Sequence, residues 1–220
     1  MIDFRLGRYQ DVLQDVECDA VICDPPYSER TQRGALGLHG MVKGVEDYLF
    51  WKEDQAVEFI KYWSERTRGW MVIHNDDVLA PVIRRAMEDC GRYTFAFVPV
   101  LQHQPRVSGD GPACCGHFLI ISRPKSNDYK WGSLPAWYGP YQSEKNIVRG
   151  GKKIQLMKSI VINYSRPGDL ICDPCAGGAT TLIAAASQGR KAVGAEMDEE
   201  TYKKAKERIE AGYTQDMFVA

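Results

Sequence analysis

The sequence predicts an α/β fold in which one mostly parallel β-sheet lies between layers of helices. Short apolar runs alternate with amphipathic stretches along the 220 residues, as is typical of parallel strands joined by helices. Residues 93–98 and 117–122 are two apolar runs with only a loop between them, which predicts one antiparallel hairpin at a sheet edge. The composition, 44% apolar and 26% charged, excludes a disordered chain, a collagen and a long coiled coil. We therefore expect a single domain over residues 1–220.

Each element follows from a local pattern. Residues 20–23 form a continuous apolar run stopped by two prolines, as in a buried parallel strand. Residues 53–68 carry apolar side chains on one face at helical spacing, and Gly69 is expected to end that helix. The full set comprises strands at 20–23, 70–73, 93–98, 117–122, 170–172 and 192–195, and helices at 53–68, 77–90, 153–164, 180–188 and 199–211. A glycine-rich loop at 28–47, a second loop at 102–116 and an irregular aromatic segment at 123–151 separate them.

Charge and hydropathy restrict the partners. The formal net charge is −1, so any surface that binds nucleic acid must be a local one. No run approaches the roughly 18 apolar residues of a membrane span, and the first residues lack the apolar core of a signal peptide. We therefore expect a cytoplasmic protein with no membrane partner.

The seven cysteines allow two interpretations. Cys172 and Cys175 form a C-x-x-C pair that Cys114 and Cys115 could complete as a zinc site. Cys23 and Cys172, however, each end an apolar run where a small hydrophobic side chain fits. We favour packing in a reducing compartment and expect neither a metal site nor a disulfide framework.

Two of the predicted strand ends together favour a nucleoside-containing ligand. Ligands of such sheets bind outside the carboxyl ends of the strands. After residues 170–172, Asp173 leads into a turn of small residues that opens a helix, where a ligand can approach free backbone N–H groups. Glu196 follows the next strand, about twenty residues later, where an acid can accept hydrogen bonds from ribose hydroxyls. Each signal is weak alone, because a glycine turn can simply reverse the chain and an acid can be solvated.

A third strand end carries Asp24-Pro25-Pro26-Tyr27. Two prolines fix the backbone, so that one carbonyl is held pointing out of the turn. A carboxylate, a carbonyl and an aromatic ring around one small volume suit a planar heterocycle with an exocyclic –NH2 group. The alternative, a rigid turn in which the aspartate is only a cap, loses weight because the turn shares its sheet with the nucleoside site.

These motifs resemble those of the S-adenosylmethionine-dependent DNA amino-methyltransferases. Asp24-Pro25-Pro26-Tyr27 matches the catalytic motif of that family, and the turn that begins at Asp173 resembles its cofactor loop. The catalytic motif precedes the cofactor motif, which resembles the permuted β group. The resemblance covers nearly the whole chain and implies the three-layer Rossmann-like methyltransferase fold with circularly permuted motif order.

The resemblance also implies site residues. Asp24, Pro25, Pro26 and Tyr27 would be catalytic. The residues expected at S-adenosylmethionine are Asp173, Pro174, Cys175, Ala176, Gly177, Thr180, Thr181, Glu196 and Lys152. Four positions depart from the family pattern, which usually has phenylalanine at Cys175, glycine at Ala179, proline at Lys153 and an acid at Arg8.

Double-stranded DNA is the expected partner, contacted through local positive charge. The candidate residues are Arg30, Arg33, Lys43, Arg106, Lys145 and Arg149, within the segments 28–47, 102–116 and 123–151. No separate recognition domain fits in the chain, which predicts a short target sequence or a homodimer that shares the DNA. The resemblance places the protein in the cytoplasm of a bacterium or of the bacterial host of a phage.

Alternatives stay open. An aspartate in the tetrapeptide resembles the adenine-N6 enzymes, whereas cytosine-N4 enzymes more often carry serine there, so adenine is favoured. An RNA methyltransferase is a further alternative, although the permuted motif order is against it. The four departures leave room for a degenerate cofactor-binding domain that serves protein interaction.

Overall fold

The computed structural model describes residues 1–36, 50–106, 114–126, 131–141 and 151–211, with backbone only at 33–36, 103–106 and 114–115. The strands are β1 Ile2–Leu6, β2 Cys18–Cys23, β3 Thr67–Asn75, β4 Tyr93–Thr94, β5 Val98–Arg106, β6 Cys114–Arg123, β7 Leu170–Asp173 and β8 Lys191–Glu196. The helices are α1 Tyr9–Val12, α2 Glu29–Leu36, α3 Glu53–Ser64, α4 Ala80–Asp89, α5 Ile154–Tyr164, α6 Thr180–Ser187 and α7 Glu199–Glu210.

The strands form one sheet in the order β1-β8-β7-β2-β3-β6-β4, and β5 also pairs with β6. The strands from β1 to β3 in this order are parallel, whereas β6 is antiparallel to β3 and to both β4 and β5. This confirms the mostly parallel sheet with an antiparallel edge hairpin. Because β8, β7 and β2 are neighbours, their carboxyl ends lie side by side at one edge.

Helices cover both faces of the sheet, because side chains alternate along each strand. In β2, Ala20 and Ile22 point into one apolar cluster with α5, α6 and α7. Val21 and Cys23 point into the other cluster with α1, α3 and α4. The three-layer prediction is therefore confirmed. Cys23 and Cys172 are fully buried in the second cluster, which supports their packing role.

Residues 28–47 were predicted to form a loop, and this is wrong for residues 29–36, which form α2. Ser28 begins the helix: its carbonyl accepts from Gln32 N at 3.0 Å, and its hydroxyl accepts from Thr31 N at 3.4 Å. The negative charge of Glu29 in the first turn interacts favourably with the helix dipole. The cap was overlooked because the glycines dominate the local pattern; the rest of the predicted loop lies outside the described residues.

The loop predicted at 102–116 is wrong at both ends, because residues 102–106 and 114–116 are strand, and its remainder, 107–113, lies outside the described residues. β5 continues to Arg106 and β6 begins at Cys114, with Leu101 opposite Gly116. The run 93–98 is correspondingly divided between β4 and the start of β5. Apolar periodicity does not indicate this extension, because strand pairing is made by backbone hydrogen bonds, which polar residues can also form.

The helix predicted at 53–68 ends earlier, at Ser64, and Gly69 lies inside β3 instead of closing the helix. Thr67 already pairs with β2, and this tertiary pairing overrides the local stop signal. Among the described residues, no helix combines the length and apolarity needed to cross a membrane.

Candidate active site

The first part of the site is the turn after β2. Pro25 is buried and the Asp24 side chain is 23% exposed. Asn75 Nδ2 donates to the Pro26 carbonyl at 3.4 Å, which ties the turn to the end of β3. No described residue donates to the Pro25 carbonyl. The rigid turn therefore leaves one backbone acceptor free beside a carboxylate.

Asp76, which sequence reasoning did not identify, anchors the chain just after this turn. Its Oδ2 accepts hydrogen bonds from Ser28 N at 2.9 Å and Ser28 Oγ at 2.5 Å. Its Oδ1 accepts from the backbone N–H groups of Val78 and Leu79 at 3.0 Å, at the start of α4. Burial works against ionisation of this carboxyl, but the hydrogen bonds outweigh it and lower its pKa. The acids that follow predicted strand 70–73 were the available signal.

Asp24 and Tyr27 each carry a buried polar atom without a hydrogen-bond partner among the described residues, Asp24 Oδ1 and the Tyr27 hydroxyl. The other carboxylate oxygen, Asp24 Oδ2, accepts from Lys152 Nζ at 2.5 Å. The same ammonium lies over the Tyr27 ring, 5.1 Å from its centroid. Burial raises the pKa of Tyr27 well above its usual value, and the charge and the side-chain interaction of Asp24 beside the hydroxyl raise it further, so the hydroxyl is neutral. Buried polar atoms normally have hydrogen-bond partners, so these two atoms are suited to bind polar groups of a ligand.

Two histidines lie beside this cluster. His74 Nδ1 is 3.1 Å from His117 Nε2, and the His117 ring centroid is 5.9 Å from that of Tyr27. Burial, and next the charges around them, Lys152 among these, lower the pKa of both histidines well below the usual value. Both rings are therefore neutral near pH 7. Sequence reasoning missed this pair.

The second part of the site is the turn between β7 and α6. Ala176 N donates to the Ala195 carbonyl at 2.9 Å, so the turn is held against β8. Gly194 permits this close contact, because a Cβ there would lie 2.7 Å from the Asp173 carbonyl. Ala179, the last residue before α6, has φ +59°, a left-handed conformation that glycine adopts more readily.

Glu196 links this turn to the end of β8. Its Oε2 accepts from Gly177 N at 3.0 Å and its Oε1 from Asp198 N at 2.8 Å. It is only 7% exposed. A carboxylate oxygen can accept more than one hydrogen bond, so an acid in this position can hold the turn and also accept from a ribose.

Asp173 is buried at the base of the same turn. Burial raises its pKa to about 6, although hydrogen bonds from Thr181 and Cys175 N partly oppose this. Thr180 Oγ1 accepts from Arg208 Nη1 at 2.9 Å, and the same nitrogen donates to the Gly178 carbonyl at 2.8 Å. Arg208 is a further support of the turn that sequence reasoning missed.

The structure thus brings together the three strand ends that the sequence singled out. Asp24, Asp173 and Glu196 end the adjacent strands β2, β7 and β8. Lys152, expected at the cofactor, lies against Asp24. Among the described residues, no group of three or more His, Cys, Asp or Glu side chains is arranged to hold a metal ion.

The expected DNA contacts are only partly described. Arg30 forms an ion pair with Asp77, and both side chains are exposed. Arg33 and Arg106 are described by their backbone alone, within α2 and at the end of β5. The remaining three, Lys43, Lys145 and Arg149, lie outside the described residues.

The aromatic residues of segment 123–151 divide between packing and exposure. Tyr138 is buried, and Trp131 packs edge-on against Trp70 at 5.8 Å between ring centroids. Both rings join the first apolar cluster, which supports a packing role for them. Trp137 is 60% exposed and has no such role.

Part of the sequence matches a known family. A family model described as DNA methylase matches residues 124–207, which include the turn between β7 and α6 and Glu196 but not Asp24. DNA adenine methyltransferase YhdJ of Escherichia coli (strain K12) is 40% identical over 55 residues. That alignment spans 25% of this chain and 19% of the relative.

Solved structures share the fold over almost the entire chain. The M1.HpyAVI–SAM complex has a TM-score of 0.72 at 21% identity, covering 95% of this chain and 99% of the other. PvuII DNA methyltransferase (cytosine-N4-specific) has a TM-score of 0.71 at 15% identity, covering 100% of this chain and 88% of the other.

These likenesses confirm the resemblance found in the sequence. The solved structures confirm the fold, and the family model and the curated relative confirm the family pattern in the part of the chain they match. Residues 124–207 carry the sequence pattern of the DNA methylase family, within a fold that solved DNA methyltransferases share.

Proposed function

We propose that this protein transfers a methyl group from S-adenosylmethionine to the exocyclic amino group of a base in double-stranded DNA, with N6 of adenine as the target. The observation that carries the proposal is the pair of acceptors, Asp24 Oδ1 and the Pro25 carbonyl, which no described residue engages, beside the Tyr27 ring. This cluster ends a strand that lies directly beside the strand of the cofactor turn.

The two acceptors suit an aromatic amine. Its lone pair is delocalised into the ring, which makes the nitrogen a poor nucleophile. When Asp24 and the Pro25 carbonyl accept its two N–H bonds, the nitrogen moves towards a tetrahedral shape and the lone pair localises. Positive charge that develops on nitrogen then meets acceptors that the rigid turn already holds in place.

The cofactor turn suits the proposed cofactor. Glu196 supplies a buried carboxylate for ribose hydroxyls, beside the turn of small residues that opens α6. S-adenosylmethionine supplies a sulfonium methyl group, and the chain itself has only to bind and orient it. Asp173 and Thr181 fix the turn from below. Cys175 provides less surface than the phenylalanine usual in the family, so we expect weaker cofactor packing.

Adenine is the proposed target because aspartate begins the tetrapeptide and because the curated relative is named an adenine methyltransferase. The cytosine-N4-specific neighbour in the same fold keeps the N4 amine of cytosine as the competing target. In a duplex the base must leave the stack, at a cost of a few kcal/mol that stacking on Tyr27 offsets in part.

The test is methylation of duplex DNA with labelled S-adenosylmethionine, followed by mass spectrometry of the released nucleosides. We expect N6-methyladenine, and we expect Asp24→Ala to lower the rate by about a hundredfold or more because it removes an acceptor that is in place before reaction. Asp89→Ala, an exposed aspartate on α4, is the matched control. N4-methylcytosine would shift the target to cytosine, and methylated RNA without methylated DNA would overturn the DNA assignment.

Calorimetry with S-adenosylmethionine tests the alternative of a degenerate domain that serves protein interaction. The absence of detectable binding would support that alternative, because a protein that does not bind the methyl donor cannot catalyse the transfer.

The DNA contacts and a homodimer are also part of the proposal. Charge-removing variants of Arg30 and Arg33 should weaken DNA binding and reduce its salt dependence. Light scattering with and without DNA measures the oligomeric state.

A further inference from the structure

The histidine pair beside the proposed base site has a proton arrangement that the structure constrains. His74 lies near the end of β3 and is 0% exposed, and His117 lies on β6, two residues from Leu119, which pairs with His74, and is half-buried. Their one mutual hydrogen bond joins His74 Nδ1 and His117 Nε2 at 3.1 Å. Both rings are neutral, so each carries a single N–H.

The buried end of the pair decides which nitrogen carries each proton. His74 Nε2 is buried without a hydrogen-bond partner among the described residues. A buried N–H without an acceptor is rarer in proteins than a bare acceptor. The protonation state that leaves no buried N–H without an acceptor has the His74 proton on Nδ1, which donates to His117 Nε2. His117 must then carry its own proton on Nδ1.

The Nδ1–H of His117 is available to a ligand. Within the described part of the chain, the His117 ring has no hydrogen-bond partner other than His74. Its ring lies 5.9 Å from the Tyr27 ring, on which the base is proposed to stack. Lys152 lies near both His117 and Asp24: its charge lowers the pKa of His117, and its ammonium group forms an ion pair with Asp24. A donor therefore stands in the wall of the site that holds two acceptors.

The target base needs such a donor. In adenine and in cytosine, the carbon that carries the amino group is bonded to a ring nitrogen with a free lone pair, N1 in adenine and N3 in cytosine. We propose that His117 donates its Nδ1–H to this ring nitrogen, and that His74 is a positioning residue that holds the proton on that atom. The inference rests on the proposed function and adds the group that reads the base edge.

The experiment replaces that ring nitrogen by C–H. After the methylated site has been mapped, duplexes are made with adenine or 1-deazaadenine at the target, or with cytosine or 3-deazacytosine if cytosine is methylated. The deaza bases keep the amino group. The readout is the ratio of the two single-turnover methylation rates, compared between protein variants so that the intrinsic reactivity of the bases cancels.

We expect the ratio of the rate on the natural base to the rate on the deaza base to be about ten- to a hundredfold higher for the wild type than for His117→Ala. The deaza base leaves the Nδ1–H of His117 without an acceptor, and this penalty disappears when His117 is removed. His117→Asn keeps an N–H near the Nδ1 position and should restore part of the ratio. His74→Phe should lower the ratio without abolishing methylation. Tyr138→Phe, which removes a hydroxyl from the segment paired with β5, is the control and should leave the ratio unchanged.

A wild-type ratio equal to that of His117→Ala, with both proteins active, would overturn the inference and leave the proposed function intact. If no DNA base is methylated at all, the function itself fails and the inference with it. Nitrogen-15 NMR of the wild-type histidines keeps the proposal testable where a variant does not fold: His117 should be protonated at Nδ1, and protonation at Nε2 would contradict it.

Discussion

Lys152 Nζ lies 2.5 Å from Asp24 Oδ2, and the same ammonium lies over the Tyr27 ring. These are the two groups to which the proposed mechanism assigns the target base. Lys152 therefore donates to the carboxylate and lies over the ring, while no described residue donates to Asp24 Oδ1. The resemblance placed Lys152 at the cofactor alone, whereas the structure connects it to the turn formed by residues 24–27.

Breaking this ion pair should cost stability. Both side chains are mostly buried, 14% exposed for Lys152 and 23% for Asp24. Lys152→Met and Asp24→Asn should each lower the free energy of unfolding by about 1–3 kcal/mol, because each leaves a polar partner uncompensated. The double variant should lose less than the sum, with a coupling of about 1–2 kcal/mol in urea denaturation.

The exposed pair Lys203–Glu199 on α7 is the control for that cycle. Solvent screens its charges, so Lys203→Met and Glu199→Gln should show no measurable coupling. If the Lys152–Asp24 cycle gives the same result as this control, the ion pair contributes nothing to the folded state.

Local signals explain why the sequence was sufficient for part of the site. Asp24 is marked by two prolines, Asp173 by the small residues after it, and Glu196 by its distance from that turn. Each ends a buried parallel strand, and the carboxyl ends of such strands meet at one edge. Placement of these acids therefore required only the strands and their direction.

Contacts set by pairing between distant strands had no comparable signal. His74 and His117 are 43 residues apart, and their contact depends on the antiparallel register of β3 and β6. Ser28 and Asp76, 48 residues apart, meet because β2 and β3 are neighbours. A shift of one residue in register would turn each side chain to the opposite face of the sheet. Composition and periodicity do not determine that register.

The conformation of Ala179 predicts an unusual tolerance to glycine. An L-residue in the left-handed region costs roughly 1–2 kcal/mol, which glycine avoids. Ala179→Gly should therefore change the free energy of unfolding by no more than about 1 kcal/mol, since this relief offsets the greater flexibility of glycine.

Ala184→Gly provides the comparison, because Ala184 is equally buried but lies within α6. It should destabilise the protein by about 1–2 kcal/mol more than Ala179→Gly in urea denaturation, since helical glycine gains no such relief. Equal losses at the two positions would show that the left-handed conformation of Ala179 carries no strain.

Glu196 should support both the turn and the cofactor. Glu196→Gln keeps the size of the side chain but replaces one of the two acceptor oxygens by an –NH2 group. One of the two hydrogen bonds, from Gly177 N or from Asp198 N, is therefore lost. We expect the free energy of unfolding to fall by about 1–2 kcal/mol and S-adenosylmethionine to bind about tenfold more weakly in calorimetry. Glu200→Gln, an exposed acid on α7, should change neither quantity. Unchanged cofactor affinity in Glu196→Gln would remove this residue from the cofactor site.

Asp173 should make stability fall as the pH rises. Burial raises its pKa from 3.8 to about 6, so the native protein holds a proton that the unfolded chain has already lost. The contribution of Asp173 is therefore fully present below about pH 4, is lost as the pH rises to about 6, and is constant above that. At about 1.4 kcal/mol per pKa unit, the loss is about 3 kcal/mol.

Asp173→Asn removes this titration, while the histidines titrate equally in both proteins. The free energy of unfolding of the wild type minus that of the variant, measured in urea from about pH 4 to about pH 8, should therefore decline through this window. Asp198→Asn provides a contrast, because the Thr201 hydrogen bond lowers the pKa of Asp198: its contribution should stay nearly constant over this window and be lost only as the pH falls below about 4. A difference between wild type and Asp173→Asn that does not vary with pH would mean that Asp173 is ionised in the folded protein as readily as in the unfolded chain.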